Sequence, residues 1–436
     1  MTTDSAARHM AWRSRVRVQL DDDLEETVST LSTLVGMPSV SGSDAEYEIQ
    51  EQVAALMAAD GLDVDHWRIP LDEVLAAPDA PGTEVTRIQA WGLVGRLAGS
   101  APGAPSLLLD GHVDVVPPGD LSQWTGGDPW SGRVQGDPRT GRLFGRGAAD
   151  MKGGIAAALA AVRALRRADV PLAGEVLLAT VPGEEDGGLG TFATLHRGYR
   201  ADACVVPEPT GLDVVPACAG ALTFRLRVPG RSAHASRRTE GVSALDNLWL
   251  VHRALADLER RRNTDADPLM GRWAVPYPLS LGVVRGGDWA SSVPDLVVAE
   301  GRLGVALEEH VGDARAALER AVAEACADDP WLADHPVTVE WWGGQFASGR
   351  LPHDSDLLAR VRRAHEDAAP GRVSDVYGVP YGSDLRLLTV AGIPTLHYGP
   401  GDLAVAHAPD EYVDVAEVHT AARTLALLAL DLCGTT

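Results

Sequence analysis

Residues 106–114 have the sequence Ser-Leu-Leu-Leu-Asp-Gly-His-Val-Asp, an apolar run that passes directly into acidic residues and a histidine. A short apolar run that ends at a turn signal is typical of a strand buried on both faces of a mainly parallel sheet. His112 then falls just past the carboxyl end of that strand, the edge at which open α/β sheets bind ligands. The stretch therefore predicts an α/β fold and the position of a site.

Two more segments follow the same plan. Residues 175–181 form an apolar run that a proline-glycine pair terminates, and Glu184 and Glu185 come next. Residues 203–206 form a third run, with Glu208 two residues beyond it. Because the carboxyl ends of parallel strands share one edge of a sheet, these side chains are predicted to meet there.

The side chains at this edge suit a pair of metal ions. Zinc takes imidazole and carboxylate ligands where no thiolate is offered, and ions about 3.5–4 Å apart need a carboxylate that binds both. We therefore predict two divalent metal ions per subunit, with zinc the best fit and cobalt or manganese as open alternatives. Asp150 is the predicted bridge, and the predicted terminal ligands are His112, Glu185, Glu208 and His407.

Length and pattern predict two domains, because 436 residues exceed one ordinary core. Helices are predicted over 22–35 and 44–59, and an αβ alternation continues to about residue 215. A βαββαβ-like block follows, which predicts an inserted α+β sandwich over 218–342. The catalytic α/β domain, a mainly parallel sheet with helices on both faces, is predicted over 1–217 and 343–436. The block's predicted strands are 221–228, 279–284, 296–305 and 337–342, and its predicted helices are 242–262 and 313–327.

Composition narrows the possible partners and location. A formal charge of −23 argues against a nucleic-acid or anionic-membrane partner, since phosphate groups would repel it. The four cysteines have no Cys-x-x-Cys spacing and indicate buried thiols in a reducing compartment. Residues 1–20 lack the apolar core of a secretory signal, and no segment is apolar over the length of a membrane span. These features predict a cytoplasmic protein.

Other mechanisms find less support in the sequence. The run Gly145-Arg146-Gly147 lacks the third glycine of a dinucleotide-binding loop, and no Gly-x-Ser-x-Gly elbow of a serine hydrolase occurs. Lys152, the only lysine in the chain, directly follows Asp150-Met151, which suggests that arginine does not fit beside the predicted metals.

Six ordered motifs together carry a family resemblance. The chain resembles the zinc deacylases and exopeptidases that include acetylornithine deacetylase, succinyl-diaminopimelate desuccinylase, carboxypeptidase G and aminoacylase, and the likeness runs from about residue 25 to about residue 430. The motifs fit the family as a whole rather than one member. They are DGHVDVVP (110–117), GRGAADMKGG (145–154), PGEEDGG (182–188), PEPT (207–210), GRSAHAS (230–236) and GPGDLAVAHAPDEYV (399–413).

The resemblance assigns the ligands to two metals. It implies that His112 and Glu208 hold one ion, that Glu185 and His407 hold the other, and that Asp150 binds both.

The resemblance also implies catalytic roles. Asp114 matches a carboxylate that fixes the tautomer of a ligand imidazole. Glu184 matches a general base, which takes a proton from the attacking water and passes it to the departing amine. His234, in the inserted domain, matches a histidine that reaches the partner subunit's site and stabilises the oxyanion. The resemblance therefore implies a homodimer, and a lid and dimerisation role for the inserted domain, residues 218–342.

Substrate contacts are implied at four further positions. Arg302 matches a residue that grips a substrate carboxylate, for which a guanidinium fork is well shaped. Gly382 and Ser383 resemble a loop beside the substrate. Ser291 stands near a position where many relatives have an asparagine, so the contacts there differ from the family pattern.

Each of these residues also has an ordinary structural explanation when taken alone. A His-x-Asp sequence after a strand is often a polar turn, adjacent glutamates often form a solvated loop, and His234 could bond locally. Arg302 could pair with Glu300 or Glu308 on the surface. Their ordered occurrence together argues against all the ordinary explanations holding at once.

The sequence as a whole predicts a cytoplasmic, homodimeric, two-metal amidohydrolase. Its predicted substrate is an N-acyl amino acid or related small N-acyl amine, and acetylornithine-deacetylase-like activity is the leading form. A dipeptidase or carboxypeptidase would use the same centre on a short peptide. A non-catalytic small-molecule binding protein built on an inactive hydrolase is a third alternative.

Overall fold

The computed structural model describes residues 3–436 and the side chains from residue 7 onward. Eleven α-helices and sixteen strands alternate along this part of the chain. The helices are α1 (Thr3–Asp22), α2 (Leu24–Val35), α3 (Ala45–Ala59), α4 (Leu71–Leu75), α5 (Gly153–Arg167), α6 (Leu189–His196), α7 (Ala244–Arg262), α8 (Val311–Ala327), α9 (Leu357–Ala368), α10 (Leu385–Val390) and α11 (Val415–Cys433).

The strands build one large and two smaller sheets. They are β1 (Asp63–Arg68), β2 (Trp91–Leu97), β3 (Leu107–His112), β4 (Arg133–Gln135), β5 (Arg142–Phe144), β6 (Val176–Val181), β7 (Ala203–Val206), β8 (Val214–Cys218), β9 (Gly220–Pro229), β10 (Leu279–Gly286), β11 (Leu296–Val305), β12 (Thr338–Phe346), β13 (Gly349–Arg350), β14 (Val376–Val379), β15 (Thr395–His397) and β16 (Tyr412–Asp414).

The large sheet has nine strands in the order β1-β2-β6-β3-β7-β15-β8-β13, with β14 also paired to β8. Its four central strands, β6, β3, β7 and β15, are parallel, and β1, β2 and β13 pair antiparallel with their neighbours. The predicted fold class is confirmed, since a mainly parallel sheet with helices is interrupted by a separate α+β block.

Both faces of the central strands are buried, as their continuous apolar sequences predict. Leu107 and Leu109 of β3 share one core with helices α1, α2, α3, α5, α9 and α11. Leu108, between them, belongs to the opposite core with α4, α6 and α10. Successive side chains of β3 thus pack into the helices on opposite faces of the sheet, and this packing fixes the register of the strand ends.

The inserted block has its own sheet, in the order β10-β11-β9-β12. Leu222, Phe224 and Leu226 alternate along β9 and are fully buried against α7 and α8. The observed elements match the predicted ones to within four residues at each end. The strand β12 continues to Phe346, and the domain boundaries at 217/218 and 342/343 stay predictions.

Across residues 3–436, the structure contains no helix that is long and apolar enough to cross a membrane. All four cysteines are buried and unpaired.

Lys152 is completely buried between the site and α2. Its Nζ atom donates hydrogen bonds to the carbonyls of Leu34, at 2.9 Å, and Met37, at 2.8 Å, where α2 ends. Each carbonyl also accepts a backbone N–H, that of Met37 for Leu34 and that of Ser39 for Met37, so the ammonium is a further donor to acceptors at and just beyond the last turn of α2. The compact ammonium thus joins the end of α2 to the segment that carries Asp150.

We expect Lys152→Ala to lower the free energy of unfolding by about 3 kcal/mol, because it opens a cavity and removes two buried hydrogen bonds from a charged donor. Urea unfolding measures the loss. Arg166→Ala is the control, since that side chain is half exposed on α5 and its loss should change stability by less than about 0.5 kcal/mol. Equal stability of Lys152→Ala and the wild type would show that the two contacts contribute little.

Candidate metal centre

Three neighbouring strands bring their carboxyl ends to one place. Strand β3 lies between β6 and β7 and is parallel to both, with His112 opposite Val181 and Leu109 opposite Val205. Glu185 follows β6 by four residues and Glu208 follows β7 by two. The parallel register therefore places the acidic residues beside the imidazole, as the sequence pattern predicts.

Two further side chains come from loops. Asp150 lies in the tight turn at Ala148–Lys152, immediately before α5, and its own backbone is not helical. His407 follows a short turn at Leu403–Val405 and has a positive φ of 61°. With these two, five predicted ligands come together, and we call His112, Asp150, Glu185, Glu208 and His407 the cluster.

The cluster consists of two trios that share Asp150. In His112, Asp150 and Glu208, and again in Asp150, Glu185 and His407, one ligand atom from each residue lies within 4.8 Å of the others. The two oxygens of Asp150 divide between the trios: Oδ1 is 3.2 Å from Nε2 of His112, and Oδ2 is 3.4 Å from Nε2 of His407. This is the arrangement that a carboxylate bridging two cations requires.

The remaining distances within the trios are similar. Nε2 of His112 is 4.0 Å from Glu208 Oε1, and Nε2 of His407 is 3.2 Å from Glu185 Oε1. Carboxylate and imidazole are the donors that zinc takes when no thiolate is present. The chemistry of each trio therefore fits a divalent cation.

The electrostatics of the cluster also fit a cation. Burial raises the pKa of Glu185 and Glu208, because each carboxylate loses solvation among other negative groups. Hydrogen bonds to Asp150 and Glu185 raise the pKa of His407 to about 10. Burial lowers the pKa of His112, but the hydrogen bond to Asp150 and the charge of Glu208 outweigh it and hold this pKa well above its usual value. The carboxylates thus attract positive charge, which bound cations would supply.

Asp114 orients the cluster through its main chain as well as its side chain. The Nδ1 atom of His112 is 2.9 Å from the carbonyl oxygen of Asp114 but 3.8 Å from its carboxylate. Donation to the carbonyl leaves Nε2 free to accept a metal. The carboxylate instead accepts hydrogen bonds from the backbone N–H groups of Glu184, at 3.2 Å, and Glu185, at 3.3 Å, and from the hydroxyl of Ser41.

Glu184 lies beside the cluster with only 8% of its surface exposed. Burial raises its pKa well above the usual value, and Glu208 and Glu185 raise it further, whereas the charge of His112 lowers it. A buried carboxyl with a raised pKa beside polar groups is suited to accepting and releasing a proton.

The structure does not bring His234 to the cluster. It stands in an exposed loop of the inserted block, where its Nδ1 atom accepts a hydrogen bond from the N–H of Ser236. Its backbone pairs with Ser292, and the carbonyl of Ser291 accepts a bond from Ala235. Within the part of the chain that the structure describes, none of these hydrogen bonds reaches the cluster.

Arg302 is half exposed on β11, 3.9 Å from Glu84. Its guanidinium also lies 5.6 Å from the centre of the Phe346 ring. Glu300 and Glu308 approach other arginines, Arg225 and Arg350. The ordinary surface pairs proposed for Arg302 are therefore not the ones found.

The loop with Gly382 and Ser383 packs inward. Ser383 is 1% exposed, and its hydroxyl is 2.8 Å from Nε2 of His397, so this group bonds to the protein interior. Gly382 lies against Phe346. A Cβ atom on residue 382 would be 2.5 Å from the Cβ atom of Phe346. This loop is therefore closely packed, and the hydroxyl of Ser383 is already engaged by His397.

Several buried groups around the cluster have no role predicted from the sequence. Asp186 follows Glu185 directly, and its carboxylate binds Arg87, which also binds Glu46. Glu411, inside the last motif, has its carboxylate on the Asp150 turn. Asp186 and Glu411 lie inside two of the quoted motifs, but nothing in those motifs indicates their roles. Arg87 lies outside all six motifs, and no local pattern indicates its contacts.

Comparisons with known proteins agree with the geometry. The model of peptidase family M20/M25/M40 matches residues 108–431. The N-formyl-4-amino-5-aminomethyl-2-methylpyrimidine deformylase of Halalkalibacterium halodurans is 26% identical, over 95% of this chain and 96% of that protein. The acetylornithine deacetylase of Erwinia tasmaniensis is 28% identical, over 92% of this chain and 96% of that protein.

A solved structure shares the fold. The dipeptidase Dug1p of Saccharomyces cerevisiae superposes with a TM-score of 0.76 at 15% identity, covering 97% of this chain and 98% of that one. The predicted family resemblance is confirmed, because the family model covers most of the chain. The chain belongs to peptidase family M20/M25/M40, a family of metal-dependent hydrolases of amide bonds.

Proposed function

We propose that this protein is a two-metal deacylase that hydrolyses the amide of a small N-acyl amine, such as an N-acyl amino acid. The observation that carries the proposal is Asp150, whose two oxygens face different imidazoles, with Glu184 buried beside them. The curated relatives described above are a deformylase and a deacetylase, and both names describe removal of a small acyl group.

The proposed ligands are His112 and Glu208 for one cation, Glu185 and His407 for the other, and Asp150 for both. When bound, two divalent cations supply Lewis acidity for a carbonyl and for water, with zinc the preferred choice. Glu184 would take the proton from the attacking water and return it to the leaving amine. Asp114 would keep Glu184 and Glu185 in place through their backbone N–H groups.

A cavity of about 540 Å³ is the proposed place for part of the substrate. Neither the cluster nor Glu184 lines it, but its wall includes Pro209, the residue after Glu208. Aromatic side chains, among them Trp273, Tyr377 and Tyr381, form part of its wall. This size suits a small amine or amino acid rather than a long peptide.

The experiment that tests the proposal is hydrolysis of matched amides. Purified protein is treated with a chelator and reloaded with zinc, cobalt or manganese, then offered formyl, acetyl, succinyl and aminoacyl derivatives of the same amines. We expect activity only after metal is restored, and greater activity on acyl than on aminoacyl amides. A preference for substrates with a free α-amino group would instead favour the dipeptidase alternative, which the fold of Dug1p also allows.

We also propose that the protein acts as a homodimer through the inserted block, in the cytoplasm. Four buried, unpaired cysteines are compatible with a reducing compartment. The exposed position of His234 supports a role outside its own subunit, because its imidazole bonds to Ser236 rather than to the cluster and is accessible to a second chain. Arg302, with 50% of its side chain exposed, is the proposed contact for a substrate carboxylate.

We expect His234→Ala to lower kcat by about 10²- to 10³-fold, the cost of removing one oxyanion donor. Mixed dimers of His234→Ala with Glu184→Gln should regain activity, because one of their two sites then combines an intact base with an intact histidine. Mixed dimers verified by tag purification are assayed against each parent. Absence of any recovery would contradict action across the subunit interface.

A further inference from the structure

A buried ion pair connects two separate parts of the cluster. Arg146 and Glu411 lie 2.6 Å apart, Nη1 to Oε2, and their side chains are 2% and 0% exposed. The proposed function gives neither residue a role. Each is nevertheless bonded to the main chain of a different ligand segment.

Glu411 holds the turn that carries Asp150. Its second oxygen, Oε1, accepts hydrogen bonds from the N–H groups of Ala149, at 3.0 Å, and Asp150, at 3.1 Å. A charged acceptor on two successive N–H groups is a strong and directional contact. It fixes the backbone from which the Asp150 carboxylate projects.

Arg146 holds the loop that carries His407. Its Nη2 atom donates to the carbonyl of His407, at 3.1 Å, and its Nη1 atom donates to the carbonyl of Ala408, at 3.3 Å. His407 has a φ of 61°, which a residue other than glycine rarely adopts without support. The guanidinium, seated 5.3 Å from the centre of the Trp124 ring, supplies that support.

We propose that Arg146 and Glu411 are positioning residues that set the spacing between Asp150 and His407, and so the affinity of the cation these two would share with Glu185. This inference rests on the proposed two-metal function. Four of the pair's hydrogen bonds go to the main chain at or beside the two ligands. Replacing a buried ion pair with apolar side chains is often neutral for stability. Stability alone therefore does not require an ion pair here, nor hydrogen bonds from it to the main chain of both ligand segments.

The test is Arg146→Lys, which keeps a positive charge opposite Glu411 but cannot span the carboxylate and both carbonyls. Chelated protein is titrated with cobalt, and the two binding steps are followed by visible absorption and by zinc competition. We expect the affinity for one of the two cations to fall by about 10- to 100-fold, as for other groups that orient metal ligands. The affinity for the other cation should change by less than about threefold.

Arg163→Lys is the matched control, because Arg163 forms an equally buried ion pair with Asp60. Its hydrogen bonds go to Asp60, away from the cluster, and both cobalt affinities should remain those of the wild type. If Arg146→Lys does not fold, Glu411→Gln provides the same test, since its amide can still accept from the Asp150 turn but cannot pair with Arg146.

The outcomes separate the inference from the function. Selective loss of one cation in Arg146→Lys supports the inference. Two unchanged affinities, or an equal loss of both together with a fall in Tm like that of Arg163→Lys, overturn it while the proposed function stands. Absence of cobalt binding by the wild type overturns both.

Discussion

Replacing Glu184 with glutamine is expected to reduce the rate of amide hydrolysis by about 10²- to 10⁴-fold while both cations remain bound. The amide has nearly the shape of the carboxylate, so the buried position beside the cluster is kept. It cannot accept the proton of the attacking water, and the leaving amine then receives none. The backbone bond from Glu184 to Asp114 is unaffected, because it uses the N–H group.

The measurement is kcat together with metal content by elemental analysis. Glu366→Gln makes the same chemical change on the exposed face of α9 and should leave both quantities unchanged. A Glu184→Gln protein that retains wild-type turnover would refute the base assignment. Loss of metal together with activity would instead indicate that Glu184 acts as a ligand.

The strands that carry the cluster were predictable because their signals are local. The segments containing β3, β6 and β7 are continuous apolar runs that end in turn residues, and that pattern alone indicates strands buried on both faces. The rule that parallel strands present ligands at their carboxyl ends then places His112, Glu185 and Glu208 together. The meeting of these three side chains can therefore be predicted before any tertiary contact is known.

Other features depend on contacts that no local pattern records. Helix α1 was not predicted, since its residues show no regular apolar face, and its buried Val16 and Leu20 become apolar contacts only in the folded core. The partner of His112 could be predicted as residue 114, but only the loop geometry shows that the carbonyl and not the carboxylate accepts its proton. Arg87 likewise reaches Asp186 and Glu46 from 99 and 41 residues away.

We expect Asp150→Asn to lose the binding of at least one cation and to reduce activity by more than any change at a terminal ligand. Each oxygen of Asp150 faces one imidazole, at 3.2 and 3.4 Å. An asparagine can present one oxygen only, so its NH₂ group must face the other trio, where it donates and cannot bind a metal. Its missing charge also weakens the attraction of the remaining trio for a cation.

Thermal unfolding with and without zinc measures this effect independently of activity. A ligand that binds only the folded protein stabilises it, by about 2.7 kcal/mol at a concentration one hundred times Kd. Zinc should therefore raise the Tm of the chelated wild type and raise that of Asp150→Asn much less. Asp110→Asn is the matched control, because Asp110 is also buried, two residues before His112, but bonds to Thr191 instead. His407→Ala should fall between the two, since it removes a ligand from one trio and leaves the bridge intact. An Asp150→Asn protein with the full zinc-dependent rise in Tm would show that the two trios do not share a ligand.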